Sequence, residues 1–223
     1  MSAALEQFHA GAERAFALLG EGPARARCEH AVRTFLAGAR AWEAGDLAQL
    51  DMLERFAWEG AGLAAALLGQ PEAPLRAKPE RATLIFVGIG WARGLSGLPI
   101  EAPSPDWQRR FGPAAWMVIE GQGFVAELFR RRRIGGGELG SAEADALDQG
   151  RGRALYFVHG GTPRAIIRSI ASLERARAPA LWRGVGIASR FTDGLDQASR
   201  TELQSAGGEA LVQGEAMALR LLE

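Results

Sequence analysis

Apolar residues recur along the chain at the spacing of an amphipathic helix, and almost no stretch alternates between apolar and polar positions as a half-buried strand does. Proline-rich segments at 70–80 and 98–107 are typical of loops, and Thr162 followed by Pro163 is typical of a helix start. The pattern predicts an all-α protein in which residues 1–223 form a single domain. The predicted helices cover residues 2–19, 25–44, 46–69, 80–96, 105–131, 142–159, 162–174, 179–192, 195–205 and 207–222.

Glycine recurs inside the apolar runs of six of these predicted helices. A glycine in a helix interior costs about 1 kcal/mol relative to alanine, so the recurrence indicates close approach of helix axes. The spacing predicts three helical modules used twice, as pseudo-repeated halves at about 46–130 and 145–222 after N-terminal helices at 1–45. The alternative is a bias toward GC-rich codons, since Lys78 is the only lysine among 26 basic residues. The six positions are Gly60, Gly88, Gly121, Gly160, Gly184 and Gly214.

One segment, "LIFVGIGWARG" at 84–94, could be a strand that enters a glycine-rich dinucleotide loop. Its spacing is G-x-G-x-x-x-G, and the same Gly-x-Gly pair occurs again at 60/62, 121/123 and 184/186. A cofactor motif is used once, whereas a packing device repeats. We therefore predict no bound cofactor.

A polar side chain comes directly before the glycine in five of the six modules, and Val87 holds that position in the sixth. Helical geometry puts each polar side chain on a largely apolar face, so all five should point inward. Burial of polar groups is costly unless they are partnered. The five residues are Glu59, Glu120, His159, Arg183 and Gln213.

Two interpretations of these five residues are open. In the first they form an internal network, with Arg183 bridging the carboxylates. In the second they line a cavity in which Glu120, Glu59 and His159 are catalytic acids and bases, while Arg183 and Gln213 bind substrate. The predicted apolar walls of that cavity are Trp58, Trp91, Trp116, Tyr156 and Trp182.

Charge and cysteine content limit the possible partners. The chain has 26 basic and 26 acidic residues, so neither nucleic acid nor a membrane surface is predicted as a partner. No run reaches the roughly 18 apolar residues of a membrane span. Cys28 is the only cysteine, which rules out an intramolecular disulfide and a cysteine zinc site and fits the cytoplasm.

Other motifs are weak. His9 and His30 lack metal-ligand spacing, so no metal is predicted. The four arginines at 130–133 are interpreted as a solvated helix end, or alternatively as a site for phosphate or an acidic carrier protein, within a joint at 130–141. Ser169, Ser172 and Ser189 have no arranged base, and Asp148 is expected to cap a helix start.

Several segments resemble an uncharacterised protein family, DUF1702, over about residues 50 to 222. They include "FVGIGWARGL" (86–95), "IEGQGFVAELF" (119–129), "LWRGVGIASRFTDG" (181–194) and, most specifically, the segment from Asp148 to Gly160. Members of that family occur in bacterial polyketide gene clusters, notably those for enediynes. The resemblance implies a role in specialised metabolism. His159 departs from the acidic residue that is common at its position in the family.

The expected function is therefore that of a small-molecule tailoring enzyme in a polyketide-like pathway. It would perform cofactor-free acid/base chemistry, such as cyclisation, isomerisation or dehydration, on an apolar small-molecule substrate. The alternative is a non-catalytic chaperone or scaffold that binds a reactive polyene or a partner protein. A homo-oligomer is compatible with either function.

Overall fold

The computed structural model of the chain describes residues 3–129 and 139–222, and every regular element in these two ranges is a helix. One continuous apolar core contains side chains from α1 through α12, so the all-helical single domain is confirmed. The helices are α1 (Ala3–Ala17), α2 (Pro23–Glu43), α3 (Leu47–Met52), α4 (Ala57–Leu67), α5 (Glu72–Ala77), α6 (Ala82–Leu95), α7 (Pro105–Phe111), α8 (Met117–Leu128), α9 (Ser141–Val158), α10 (Pro163–Ala171), α11 (Ala178–Thr192) and α12 (Gln197–Leu222).

Several helix boundaries differ from the predicted ones. The helix predicted at 46–69 is divided into α3 and α4, because Leu53 takes extended backbone angles and packs on the core. The helix predicted at 105–131 is divided by a 3-10 segment, Gly112–Trp116, where Gly112 has a φ of 53° and Pro113 lacks an N–H. Residues 130–138, which include the four arginines and most of the predicted joint, lie outside the described residues.

Seven helices pack in series, each against the next, in the order α2, α4, α6, α8, α9, α11 and α12. Pairs of glycines two residues apart allow this close packing. In α6, a Cβ at Gly88 would overlap the carbonyl of Glu59 in the preceding helix, and one at Gly90 would overlap the carbonyl of Val118 in the following helix. The same arrangement recurs at 60/62, 121/123, 150/152 and 184/186.

The fourth module was placed in the wrong register by the sequence pattern. Gly160 lies beyond the end of α9, in a turn with a φ of 57°. Gly150 takes the corresponding position inside α9, where a Cβ would overlap the carbonyl of Glu120. A glycine at a close crossing therefore occurs in each of the seven core helices.

The series of helices curls until its first helix, α2, meets α11, the last but one. At the seam α2 packs against α11, and Arg27 lies 3.3 Å from Asp193. The rings of Phe56, directly before α4, and Phe191 in α11 meet edge to face with centroids 5.2 Å apart. The seven helices thus enclose a common interior.

Helix α1 covers this interior with one face. Its buried residues are Leu5, Phe8, Ala12 and Ala15, at helical spacing. The ring of Phe8 lies 4.6 Å from that of Trp91 in α6 and 4.8 Å from that of Phe35 in α2. Within the part of the chain that the structure describes, no helix is both long and apolar enough to cross a membrane.

Candidate functional site

The interior of the helix ring contains a cavity of about 100 Å³. Side chains from α1, α2, α4, α6, α8, α9, α11 and α12 all line it. The few polar lining residues include Glu59, Arg153 and Thr83. Most of the wall is apolar, and its aromatic side chains are Phe8, Phe16, Phe35, Phe56, Trp91, Phe124, Phe157 and Phe191.

Glu59 lies in the first turn of α4 and is 6% exposed. Neighbouring helices cross α4 on both faces, at Gly60 and Gly62, and the Glu59 side chain lines the cavity. The pKa of Glu59 is raised to about 8, mainly by burial; Arg153 opposes this rise and the negative charge of Glu120 adds to it. Glu59 therefore holds a proton at neutral pH.

Glu120 and Arg153 form a buried ion pair across the contact between α8 and α9. The Oε1 atom of Glu120 lies 3.0 Å from Nε of Arg153, and their side chains are 1% and 13% exposed. Burial raises the pKa of Glu120, and Arg153 opposes the shift. Among the described residues, neither carboxylate oxygen of Glu120 has a hydrogen-bond partner, and Nε and Nη2 of Arg153 have none, because the short contact is poorly aligned.

The guanidinium group of Arg153 is also held by aromatic rings. Its central carbon lies 4.6 Å from the ring centroid of Phe124 and 5.9 Å from that of Trp91. An arginine keeps its proton in proteins, so a neutral cluster has one ionised and one protonated carboxyl group. The short contact to Arg153 favours Glu120 as the anion and leaves Glu59 as the acid that faces the cavity.

Only part of the predicted polar set comes together. Glu59 lines the cavity and interacts electrostatically with Glu120, but the cation beside them is Arg153 rather than Arg183. Arg183 extends to the surface and pairs with Asp145, 3.0 Å away. Gln213 is exposed on the last helix of the series and donates to Glu209 over 3.0 Å. Neither side chain points inward as the sequence pattern predicted.

His159 also lies away from the two carboxyl groups, because the register of its module was wrong. It follows the last residue of α9 and is half-buried, and Gln149 is the buried residue that precedes the crossing glycine. The Oγ atom of Ser169 lies 2.7 Å from Nε2 of His159. The expectation that Ser169 has no base beside it was therefore wrong.

Of the predicted aromatic walls, Trp91 lines the cavity. Trp58 is buried beneath Lys78, whose Nζ lies 5.9 Å from its ring, and the hydroxyl of Tyr156 accepts a hydrogen bond from Thr192. Trp116 and Trp182 pack on the core outside the cavity lining.

The sequence analysis missed the phenylalanines of the cavity wall. Their spacing from the residues that precede the crossing glycines could have indicated them. Phe124 lies four residues after Glu120, and Phe157 lies eight residues after Gln149, so each shares a helix face with the residue that precedes its crossing glycine. Phe191 stands in the same relation to Arg183.

Asp148 does not cap a helix, because α9 begins seven residues earlier at Ser141. Its side chain is 6% exposed and accepts a hydrogen bond of 2.7 Å from Nε of Arg177. Arg151, one turn later, pairs with the same carboxylate over 3.3 Å. Asp148 thus anchors the segment before α11 to the middle of α9.

The described residues contain no group of three or more histidine, cysteine, aspartate or glutamate side chains placed to hold a metal ion. The chain matches neither a curated protein nor a solved structure. A family model described as "Protein of unknown function (DUF1702)" matches residues 13–222, which include every core helix of the series and the last turns of α1. The chain belongs to the DUF1702 family.

Proposed function

We propose that this protein is a small-molecule tailoring enzyme that binds an apolar molecule inside the helix ring and moves protons through Glu59. The observation that carries the proposal is one carboxyl group, lining an aromatic cavity, whose pKa burial raises to about 8. A general acid or base is most effective when its pKa lies near the working pH. Glu59 meets that condition, and an ordinary exposed glutamate does not.

The Glu120–Arg153 pair supports the same chemistry. Its charges balance each other, so the cavity holds a protonated Glu59 without an uncompensated charge beside it. In an isomerisation, protonated Glu59 donates its proton to one carbon of the substrate and then removes a proton from another carbon, with no net change in protons. Cyclisation or dehydration would use the same group as acid and base, and no cofactor is required.

The proposed setting is a polyketide-like pathway of specialised metabolism, such as the enediyne pathways that the family resemblance implies, in the cytoplasm. The two pseudo-repeated halves at 46–130 and 145–222 are part of this proposal. The first half supplies Glu59 and Glu120, and the second supplies Arg153. The site is formed only when both halves are folded together.

The test is a labelling experiment in deuterated water. Purified protein is incubated with an apolar extract of cells that lack the gene, and products are followed by mass spectrometry. The intact protein should consume a compound and introduce deuterium at carbon, whereas Glu59→Gln should retain the fold and lose both activities. Exposed Glu101→Gln is the matched control. Equal labelling by the Glu59→Gln protein would overturn the role of Glu59.

A second function, binding without catalysis, is favoured by the predominance of apolar side chains, many of them aromatic, in the cavity wall. A chaperone or scaffold of this kind would retain a reactive polyene unchanged. Native mass spectrometry would then show the same bound molecule in the intact protein and in Glu59→Gln, with no deuterium at carbon in either.

A further inference from the structure

An outer pocket lies at the seam between α2 and α11, next to the cavity. Ala31, Phe56 and Phe191 line both spaces, so the edge-to-face Phe56–Phe191 pair stands between them. We call this outer pocket the mouth. Its other lining residues are Ala26, Arg27, His30, Arg190 and Asp193.

The mouth carries an excess of positive charge. Among the described residues of its lining, Asp193 is the only acidic one, and the arginines are Arg27 and Arg190. Arg200 lies outside this lining and also pairs with Asp193. Arg27, Arg190 and Arg200 lie 3.3, 3.9 and 3.6 Å from the Asp193 carboxylate. His30 is 3.0 Å from Glu54, which compensates it when it is protonated. One carboxylate cannot neutralise three guanidinium groups, although the whole chain has no net charge.

The inner cavity has no such excess of positive charge. Among the described lining residues its arginine is Arg153, which is paired with Glu120, and a further negative charge beside that carboxylate would be repelled in a poorly solvated space. The rest of the lining is mostly aromatic or aliphatic. An anionic group is therefore favoured at the mouth, and an apolar chain is favoured inside.

We infer that the ligand is amphipathic: an anionic oxygen head group, carboxylate or phosphate, binds to Arg27 and Arg190 at the mouth, while its apolar chain passes between Phe56 and Phe191 into the cavity. Arginine suits such a head because its N–H groups match the oxygens of both anions. This inference rests on the proposed function, since it supplies the orientation in which a substrate reaches Glu59. Phe56 and Phe191 form the passage that an entering chain must part.

The test compares four probes of one chain length on the full protein: decanoate, decyl phosphate, decanol and decyltrimethylammonium. Binding is measured by titration calorimetry. The two anions should bind at least about tenfold more tightly than decanol, because hydrogen bonds to charged groups are the stronger ones. The cation should bind least. The ratio of decanoate to decyl phosphate affinity distinguishes a carboxylate head from a phosphate head.

Two sets of variants distinguish binding of the head group at the mouth from binding of the chain in the cavity. Arg27→Gln combined with Arg190→Gln should weaken the binding of the two anions by about tenfold or more and leave the affinity for decanol unchanged. Arg109→Gln, an exposed arginine of α7, is the matched control and should change nothing. Val87→Phe, which fills the cavity, should weaken the binding of all four probes. Ala188→Phe replaces it if the Val87→Phe protein does not fold.

If decanol binds as tightly as the anions, and the arginine variants leave all affinities unchanged, the inference of an anionic head is overturned while ligand binding in the cavity stands. If the probes bind equally well to both cavity-filling variants, or do not bind to the intact protein, the cavity is not the binding site, and the proposed function fails with the inference.

Discussion

Arg153 faces Glu120 across the crossing of α9 on α8, with Nε 3.0 Å from Oε1, and the backbones of the two helices touch one turn away. A Cβ at Gly150, three residues before Arg153, would overlap the carbonyl oxygen of Glu120. The same crossing therefore brings together the backbones and the charges of the two helices. The close approach at Gly150 therefore positions the ion pair beside the cavity.

The first prediction concerns the charge of Glu120. Glu120→Gln should reduce the free energy of unfolding by about 3–5 kcal/mol, because it leaves Arg153 buried without its counter-ion. Urea unfolding followed by circular dichroism measures the change. Adding Arg153→Met should recover part of the loss, since both charges are then absent. A Glu120→Gln protein as stable as the wild type would show that the ion pair contributes nothing.

The second prediction is a pH dependence of stability. The pKa of Glu59 is 4.5 in an unfolded chain and about 8 in the folded one, so the folded state binds this proton more tightly. Its contribution to stability is fully present below about pH 4.5 and is lost as pH rises through about 8. The slope should reach about 1.4 kcal/mol per pH unit between these values. The raised pKa of Glu120 acts in the same direction.

The control for this pH dependence is Glu59→Gln, which has no proton to lose. The difference in unfolding free energy between the two proteins should change from pH 5 to pH 8, because the wild type loses more stability than Glu59→Gln over that range. Parallel curves over that range would contradict a folded pKa near 8 for Glu59.

The third prediction tests the glycine crossings with a matched pair. Gly186 of α11 would place a Cβ on the carbonyl of Leu211, whereas Ala216 holds the equivalent position of α12 and is exposed. Gly186→Ala should therefore destabilise the fold by about 3 kcal/mol or more, through backbone separation. Ala216→Gly should cost about 1 kcal/mol, from helix propensity alone. Thermal and urea unfolding give both values. A more stable Gly186→Ala protein would mean that helix propensity outweighs the crossing.

The fourth prediction separates two aspartates of α9. Asp148 is 6% exposed and paired with Arg177 and Arg151, whereas Asp145 is 63% exposed and paired with Arg183. Asp148→Ala should cost about 3 kcal/mol because buried hydrogen bonds to charged groups are lost. Asp145→Ala should cost no more than about 1 kcal/mol, as for an exposed ion pair. Equal losses in urea unfolding would contradict the anchoring role of Asp148.

Helical periodicity, which depends on neighbours three and four residues apart, was enough to determine the all-helical class of this chain. It was also enough to place Glu59 and Glu120 in the interior, since each is surrounded by apolar residues on its own helix. The glycine pairs were visible for the same reason. In α9, however, two candidate glycines lay ten residues apart, and the pattern alone selected Gly160 over Gly150.

Only the tertiary structure decided which cation meets the two carboxyl groups. The pattern predicted Arg183 as that cation, but the order and register of the crossings bring Arg153 to Glu120 and Arg183 to Asp145 at the surface. The seam that joins Phe56 to Phe191 is likewise a contact between residues 135 positions apart in the chain. A local pattern specifies which face of a helix is buried. The partner on the other side depends on how all the helices close into a ring, because each crossing angle adds to those before it.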